Sequence, residues 1–309
     1  MQEKPLSAIL NRDESRGTIS EHFQPQINLL RDLANYGSNL VLRAYESSPR
    51  GIADAIVCGV LLKQVVAMVD ATEVLVSSGI TLAAHPPART GFEASLYVDY
   101  ILQQETDHRG RCYLVGNYRD ERLWATRVTK GTTEEQAFTE STKPIVLDIQ
   151  RNHPELTANA PAQVTEIDRI LSQPELADVN AAFEKLRGRR KHDVDWYTVA
   201  GAKSIADVAR TVGRYHEYIG FYSRGSSVTH SSSYKDHLRF VGKEVKFIPI
   251  RHLSALNQLL MFVGAFTMHT YWRILAQYRP SEVLSFTRKY AEDWRGPYLN
   301  AKQVNYSAL

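Results

Sequence analysis

Three observations predict a mainly α protein built as a multi-helix bundle. Apolar residues recur at steps of three and four along most of the 309 residues. Alternation, the mark of a strand, is confined to Val245, Phe247, Ile248 and Ile250, so the pattern allows at most one short strand or hairpin near 241–251. Finally, 43% hydrophobic residues give several long helices enough apolar surface to bury one face each.

Each element has its own local signal. Residues 23–47 place Ile27, Leu30, Leu33, Tyr36 and Leu40 on one broad face, and Ser47, Ser48 and Pro49 end it. A second helix runs from Ile52 to Ser77. Pro86 and Pro87 open a third near Ala88, which carries Phe92, Leu96, Tyr100 and Ile101. An amphipathic helix follows over 110–129, then a charged one over 133–152 stopped by Pro154. Patches at 164–171 and 174–186 are helical. Ser204 is placed to cap a single helix running through Ile205, Val208, Val212, Tyr215, Ile219 and Tyr222. Residues 253–277 read as a buried helix, and Pro280 starts a shorter one through Tyr290.

The expected organisation is an N-terminal arm over 1–22, helical parts over 23–154 and 195–309, and a polar connector or insertion over 155–194. With 37 Lys and Arg against 34 Asp and Glu, the net charge of +3 leaves any basic surface local. Two cysteines, Cys58 and Cys112, are too few for a disulfide framework, and no Cys/His set has zinc spacing, so neither a metal nor a cofactor is expected. The first twenty residues mix charges throughout, unlike a secretory signal. Lys63, Asp70 and Glu73 interrupt one apolar stretch, and His269 and Arg273 the other. No membrane span is expected and the cytoplasm is the expected location.

The least ordinary composition lies at 215–233, YHEYIGFYSRGSSVTHSSS, where an aromatic helix enters serines around Arg224 and His230. On a continuing helix Tyr218, Tyr222, Ser226 and His230 share one face, and Arg224 sits about 120° away from His230. Two readings stand side by side. In one, His230 is a helix-face histidine bonded to Ser226 and Arg224 a solvated charge. In the other the segment cleaves phosphodiesters without a metal, histidine moving the protons and a guanidinium facing the crowded anionic phosphorane. Arg89 and Glu93, in ARTGFEASLYVDYIL, are either a surface pair one turn apart or a pair reaching the face of Tyr222 and His230.

Arg224, five residues and His230 resemble the Arg-x(4 to 6)-His signature of the HEPN superfamily (higher eukaryotes and prokaryotes nucleotide-binding), all-helical proteins that include metal-independent ribonucleases. The chain is also similar, over roughly 25–240, to an uncharacterised and mostly bacterial helical family. That family has an Arg-x-x-x-Glu helix, here Arg89 and Glu93, and a Tyr-x-x-x-Ser-x-x-x-His helix, here Tyr222, Ser226 and His230. The HEPN resemblance implies Arg224 as the phosphate-facing cation and His230 as acid or base, with Glu93, Arg89, Tyr222, Ser226 and Tyr218 in support. It further implies RNA as substrate, a homodimer, a toxin or antiphage role, and a companion regulatory protein. The position after the Arg, often Asn in that superfamily, is Gly225 here. A non-catalytic helical interaction or nucleotide-binding module is the alternative.

The run Arg187, Gly188, Arg189, Arg190, Lys191, His192 reads as an RNA-backbone patch or as a solvated linker. Trp196 and Tyr197 behind it offer base-stacking surfaces, or anchors for the next helix. There is no P-loop, dinucleotide fingerprint or Gly-x-Ser-x-Gly elbow, so nucleotide hydrolysis, redox and acyl-transfer readings lack support.

Overall fold

The computed structural model describes residues 10–142, 155–188 and 193–303. It is mainly helical, as the periodicity predicts, and divides into two compact units: residues 1–104 with 206–309, and residues 105–205. The stretch expected as a connector, 155–194, falls inside the second unit.

The first unit packs four long helices: α1 (Arg12–Glu46), α2 (Ile52–Ser77), α3 (His85–Gln103) and, from far along the chain, α10 (Leu256–Tyr278). Their apolar stripes meet in one core. Leu33, Leu40, Val65, Val69, Phe92, Leu96, Leu259 and Phe266 are all wholly buried, each stabilising by roughly 1.5–3 kcal/mol. Helix α1 begins within the residues expected as an arm, because Ile19 and Phe23 already pack inward. The long apolar helix α2 does have the length and hydropathy of a bilayer span, contrary to the sequence expectation, and half of its most apolar window is buried within the unit.

The single helix expected from Ile205 through Tyr222 is two helices. α8 (Ile205–Thr211) ends at Gly213, whose φ of +75° takes the chain into the left-handed region, and Arg214 N–H then bonds back to the Ala209 carbonyl. Helix α9 follows over 215–229, with a widened π turn at Tyr218–Tyr222. Where at most one short strand or hairpin was expected near 241–251, an antiparallel hairpin forms a few residues earlier, as β1 (Leu238–Val241) and β2 (Glu244–Phe247). The last helix, α11 over 283–299, docks on α1 through Trp294, whose indole donates to Asp32 at 2.7 Å.

In the second unit α4 (Thr106–Val128) carries α5 (Thr133–Thr142), α6 (Ala160–Leu171) and α7 (Pro174–Arg187). Phe183, Ile167 and Leu171 supply its core. The portion of the expected charged helix beyond Thr142 lies outside the described residues.

Candidate functional site

Helix α9 is polar on two sides, and each side faces a different partner. Toward α3 it presents Tyr222. The Arg89 Nη2 donates to the Tyr222 hydroxyl at 2.5 Å, and that hydroxyl donates to Glu93 Oε2 at 3.1 Å. Tyr97 donates to the other Glu93 oxygen at 3.0 Å, and the Arg89 guanidinium lies over the Tyr222 ring at 4.3 Å. Burial, with the Glu93 carboxylate beside it, pushes the Tyr222 hydroxyl up to about 12. Arg89 and Glu93 therefore do reach the Tyr222 face. Tyr218 joins through its ring, stacked on Tyr222 at 4.7 Å.

The helices approach closely because residue 225 is glycine. A Cβ there would stand 2.8 Å from the Arg89 Cβ, an atom fixed to the α3 backbone. A larger side chain has no room at this crossing.

On its other side α9 opens onto a groove of about 410 Å³, lined by Ser223, Arg224, Ser227, Ser233, Lys235 and Asp236 among others. Arg224 Nη2 donates to Asp236 Oδ1 at 2.8 Å, in a turn at Tyr234–Asp236 that forms the far wall. Arg224 is 34% exposed. Behind the pair lie His85 and His252, 1% and 3% exposed, whose ring nitrogens have no hydrogen-bond partner among the described residues. Burial, and next the Arg224 charge, pull His85 down to about 4, and burial lowers His252 as well. Both imidazoles are neutral at physiological pH.

His230 ends α9. It is exposed, its backbone N–H bonds the Ser226 carbonyl at 2.9 Å, and it does not line the Arg224 groove. The bond between the His230 ring and the Ser226 hydroxyl, which one of the two sequence readings called for, is absent; Ser226 meets His230 through its backbone carbonyl alone. Arg224 thus lies on α9 and His230 at its C-terminal end, and of the two Arg224 alone lines the groove.

A third polar centre was not visible in the sequence. Asp99, deep on α3, accepts from Arg214 at 2.9 Å and Arg273 at 3.2 Å, and its Oδ2 is 2.9 Å from His269 Nε2. Arg214 also bonds Ser95 and clasps Glu217 with two nitrogens. Burial alone would raise the Asp99 carboxyl, but His269 and Arg214 outweigh it and hold it below the usual range. This centre locks α3, the start of α9, and α10 together.

In the second unit Arg187 faces a mixed-charge cavity of about 210 Å³ with Arg119, Arg122, Asp168, Glu184 and Asp193. Those acids balance the cations, so Arg187 is no part of a purely basic patch there. Arg189, Arg190 and Lys191 lie outside the described residues. Trp196 sits edge-on to Tyr113 at 5.3 Å and against Gly116, which makes it an anchor. Among the described residues no cluster has a metal-holding arrangement.

The fold and this seam define a class: a mainly helical bundle in which a helix carrying Arg89 and Glu93 is laid against a helix carrying Tyr222. The chain belongs to DUF5677, a family of unknown function, which matches residues 54–245. Comparison with characterised proteins and with solved structures gave no match.

Proposed function

We propose that the chain is a metal-independent endoribonuclease of HEPN type, acting in the cytoplasm as a homodimer. The observation that carries this reading is the open, serine-lined groove fronted by Arg224, on the helix that ends in a solvent-exposed His230. A phosphodiester in the groove would meet Arg224 and Lys235, with serine hydroxyls able to donate to its oxygens. One imidazole accepts the proton of the ribose 2′-hydroxyl as the new P–O2′ bond forms. The P–O5′ bond breaks and a water molecule protonates O5′, leaving a 2′,3′-cyclic phosphate and a 5′-hydroxyl end, while the imidazolium gives its proton to the hydroxide so formed. Because His230 does not line its own groove, the reading requires pairing, with His230 of one copy meeting Arg224 of another.

The non-catalytic alternative has its own support. Asp236 already occupies one face of Arg224, and Tyr222 is taken up by Arg89 and Glu93. Incubation of the purified protein with a mixed RNA pool in EDTA separates the two, because a chelator silences metal nucleases and spares this chemistry. Cleavage that vanishes in His230→Ala, together with any growth arrest on expression, supports the ribonuclease and a toxin or antiphage role. Cleavage that persists in His230→Ala removes it.

A further inference from the structure

The segment between α9 and α10 is anchored by a charge rather than by apolar side chains. From residue 231 to 250 only Ser233 and Asp236 are buried, at 9% and 8% exposure. An inward-turned carboxylate is a demanding anchor, because burial penalises its charge unless a cation or hydrogen-bond donors meet it. Ser231 and Ala255, at the two ends of the segment, take φ of +54° and +58°, a region that residues with a Cβ seldom enter. Backbone strain therefore sits on both sides of this wall of the groove.

Arg224 and Asp236 meet incompletely. One nitrogen, Nη2, donates to one oxygen, Oδ1, although a guanidinium and a carboxylate can form two parallel bonds. The Arg224 Nε is shielded from solvent and has no acceptor among the described residues. Around Asp236 stand Arg224 from α9, His85 from the start of α3 and His252 from the end of the segment itself, and His252 also faces His237 and Arg239. Each buried, neutral imidazole carries one N–H, and neither ring has a partner among the described residues. The carboxylate thus has one donor in use and two unused donors behind it.

We infer that Asp236 is a latch occupying the phosphate position on Arg224, and that an incoming phosphodiester displaces it toward His85 and His252. Carboxylate and phosphate present the same fork of oxygens to a guanidinium, so the two compete for one cation. On release Asp236 exchanges a single charged bond for imidazole N–H groups that the closed arrangement leaves unused, so the opening does not strand the carboxylate. The inference rests on the RNA reading of the groove and adds how that groove is kept shut.

The test uses the full chain carrying His230→Ala as parent, so that RNA stays intact, with fluorescence anisotropy on a labelled single-stranded RNA. Asp236→Asn frees Arg224 and should bind about tenfold more tightly, the size of one charge-assisted hydrogen bond. His85→Phe keeps a ring against Phe221 but removes a donor that receives Asp236, and should bind about threefold more weakly. In Asp236→Asn/His85→Phe the second change should have no effect, because no carboxylate is left to receive; independent damage to the fold would add instead. Sulfate, compared with chloride at equal ionic strength through thermal unfolding of the same variants, supplies an anion without base or sugar. RNA bound no more tightly by a folded Asp236→Asn overturns the latch, leaves the RNA reading in place and makes Asp236 a positioning residue for Arg224. If Asp236→Asn does not fold, parental affinity in His85→Phe overturns the latch and the expected weakening supports it. Sulfate that stabilises Asp236→Asn beyond its parent, while no variant binds RNA, keeps the latch and overturns the ribonuclease reading; failure of every variant to bind either anion overturns both.

Discussion

Gly225 and Arg89 stand in direct van der Waals contact across the crossing of α9 and α3, with space for a hydrogen and no more at residue 225. A side chain there must push against the Arg89 Cβ, which cannot swing away as a guanidinium tip can. Gly225→Ala should therefore lower unfolding stability by ~1–3 kcal/mol despite the better helix propensity of Ala. Gly225→Asn, with a still larger side chain, should be worse still and should not increase the proposed RNA cleavage. Urea unfolding and a cleavage assay on the same samples check both; a more stable Ala variant contradicts the close crossing.

The Tyr222 hydroxyl bridges Arg89 and Glu93, which otherwise approach only to 3.8 Å. Tyr222→Phe removes the bridge and leaves the stacked rings in place. The expected loss is ~1–2 kcal/mol, since one charged donor and one charged acceptor each lose a partner in a half-buried seam. In a spectrophotometric tyrosine titration the variant should lose a component near pH 12 and keep those at ordinary pH.

These contacts show what a linear reading reaches. The stripe Phe92, Leu96 and Tyr100 repeats every four residues, and all three are 2% exposed or less, so α3 was legible from spacing alone. The approach of Arg89 and Glu93 to Tyr222 was one of two readings that the same spacing left open, and the hydrogen bonds to Tyr222 decide between them. The Asp99 centre was not legible, because its partners lie 115 to 174 residues away and each looks like a lone polar residue on an apolar helix. The break at Gly213 was hidden because apolar spacing continues across it through Val212 and Tyr215. The start of α1 was hidden for the opposite reason: residues 12–22 are mostly exposed and polar, and only Ile19 signals the core.

His85 is wholly buried against Phe221, with Arg224, Asp236 and His252 around it, and is held at about 4 against 6.5 for a free imidazole. Between those values the unfolded chain takes up a proton that the folded chain refuses, so stability must fall as pH falls from 6.5 to 4. The span corresponds to about 3 kcal/mol. His252 is shifted the same way, whereas Asp99 loses its contribution only below the ordinary carboxylate range. Urea midpoints across this window should slope upward with pH in the wild type and markedly less in His85→Phe.

Asp99 is the single acceptor toward which Arg214, Arg273 and His269 converge. Arg214 is 4% exposed, so neutralising Asp99 leaves a buried guanidinium with Glu217 as its remaining carboxylate, beside the Ser95 hydroxyl. Asp99→Asn should cost ~3–5 kcal/mol. Arg273→Ala, at the more exposed rim, should cost ~1 kcal/mol or less. Equilibrium unfolding distinguishes this centre from a catalytic one: both variants should retain RNA cleavage wherever they remain folded, and a folded variant with no cleavage would place Asp99 in the chemistry.

The proposed reaction makes a demand on assembly that can be read without a structure of the pair. If His230 of one copy acts beside Arg224 of another, Arg224→Ala and His230→Ala each damage both sites of a symmetric pair when present alone. Mixed and allowed to exchange, the two variants form a heterodimer that keeps one site with both residues native. With random exchange such heterodimers are half of all pairs, so activity should return to about a quarter of the wild type. Cleavage of labelled RNA before and after exchange measures it, and a mixture as inactive as its parents would mean that the two residues do not meet between copies.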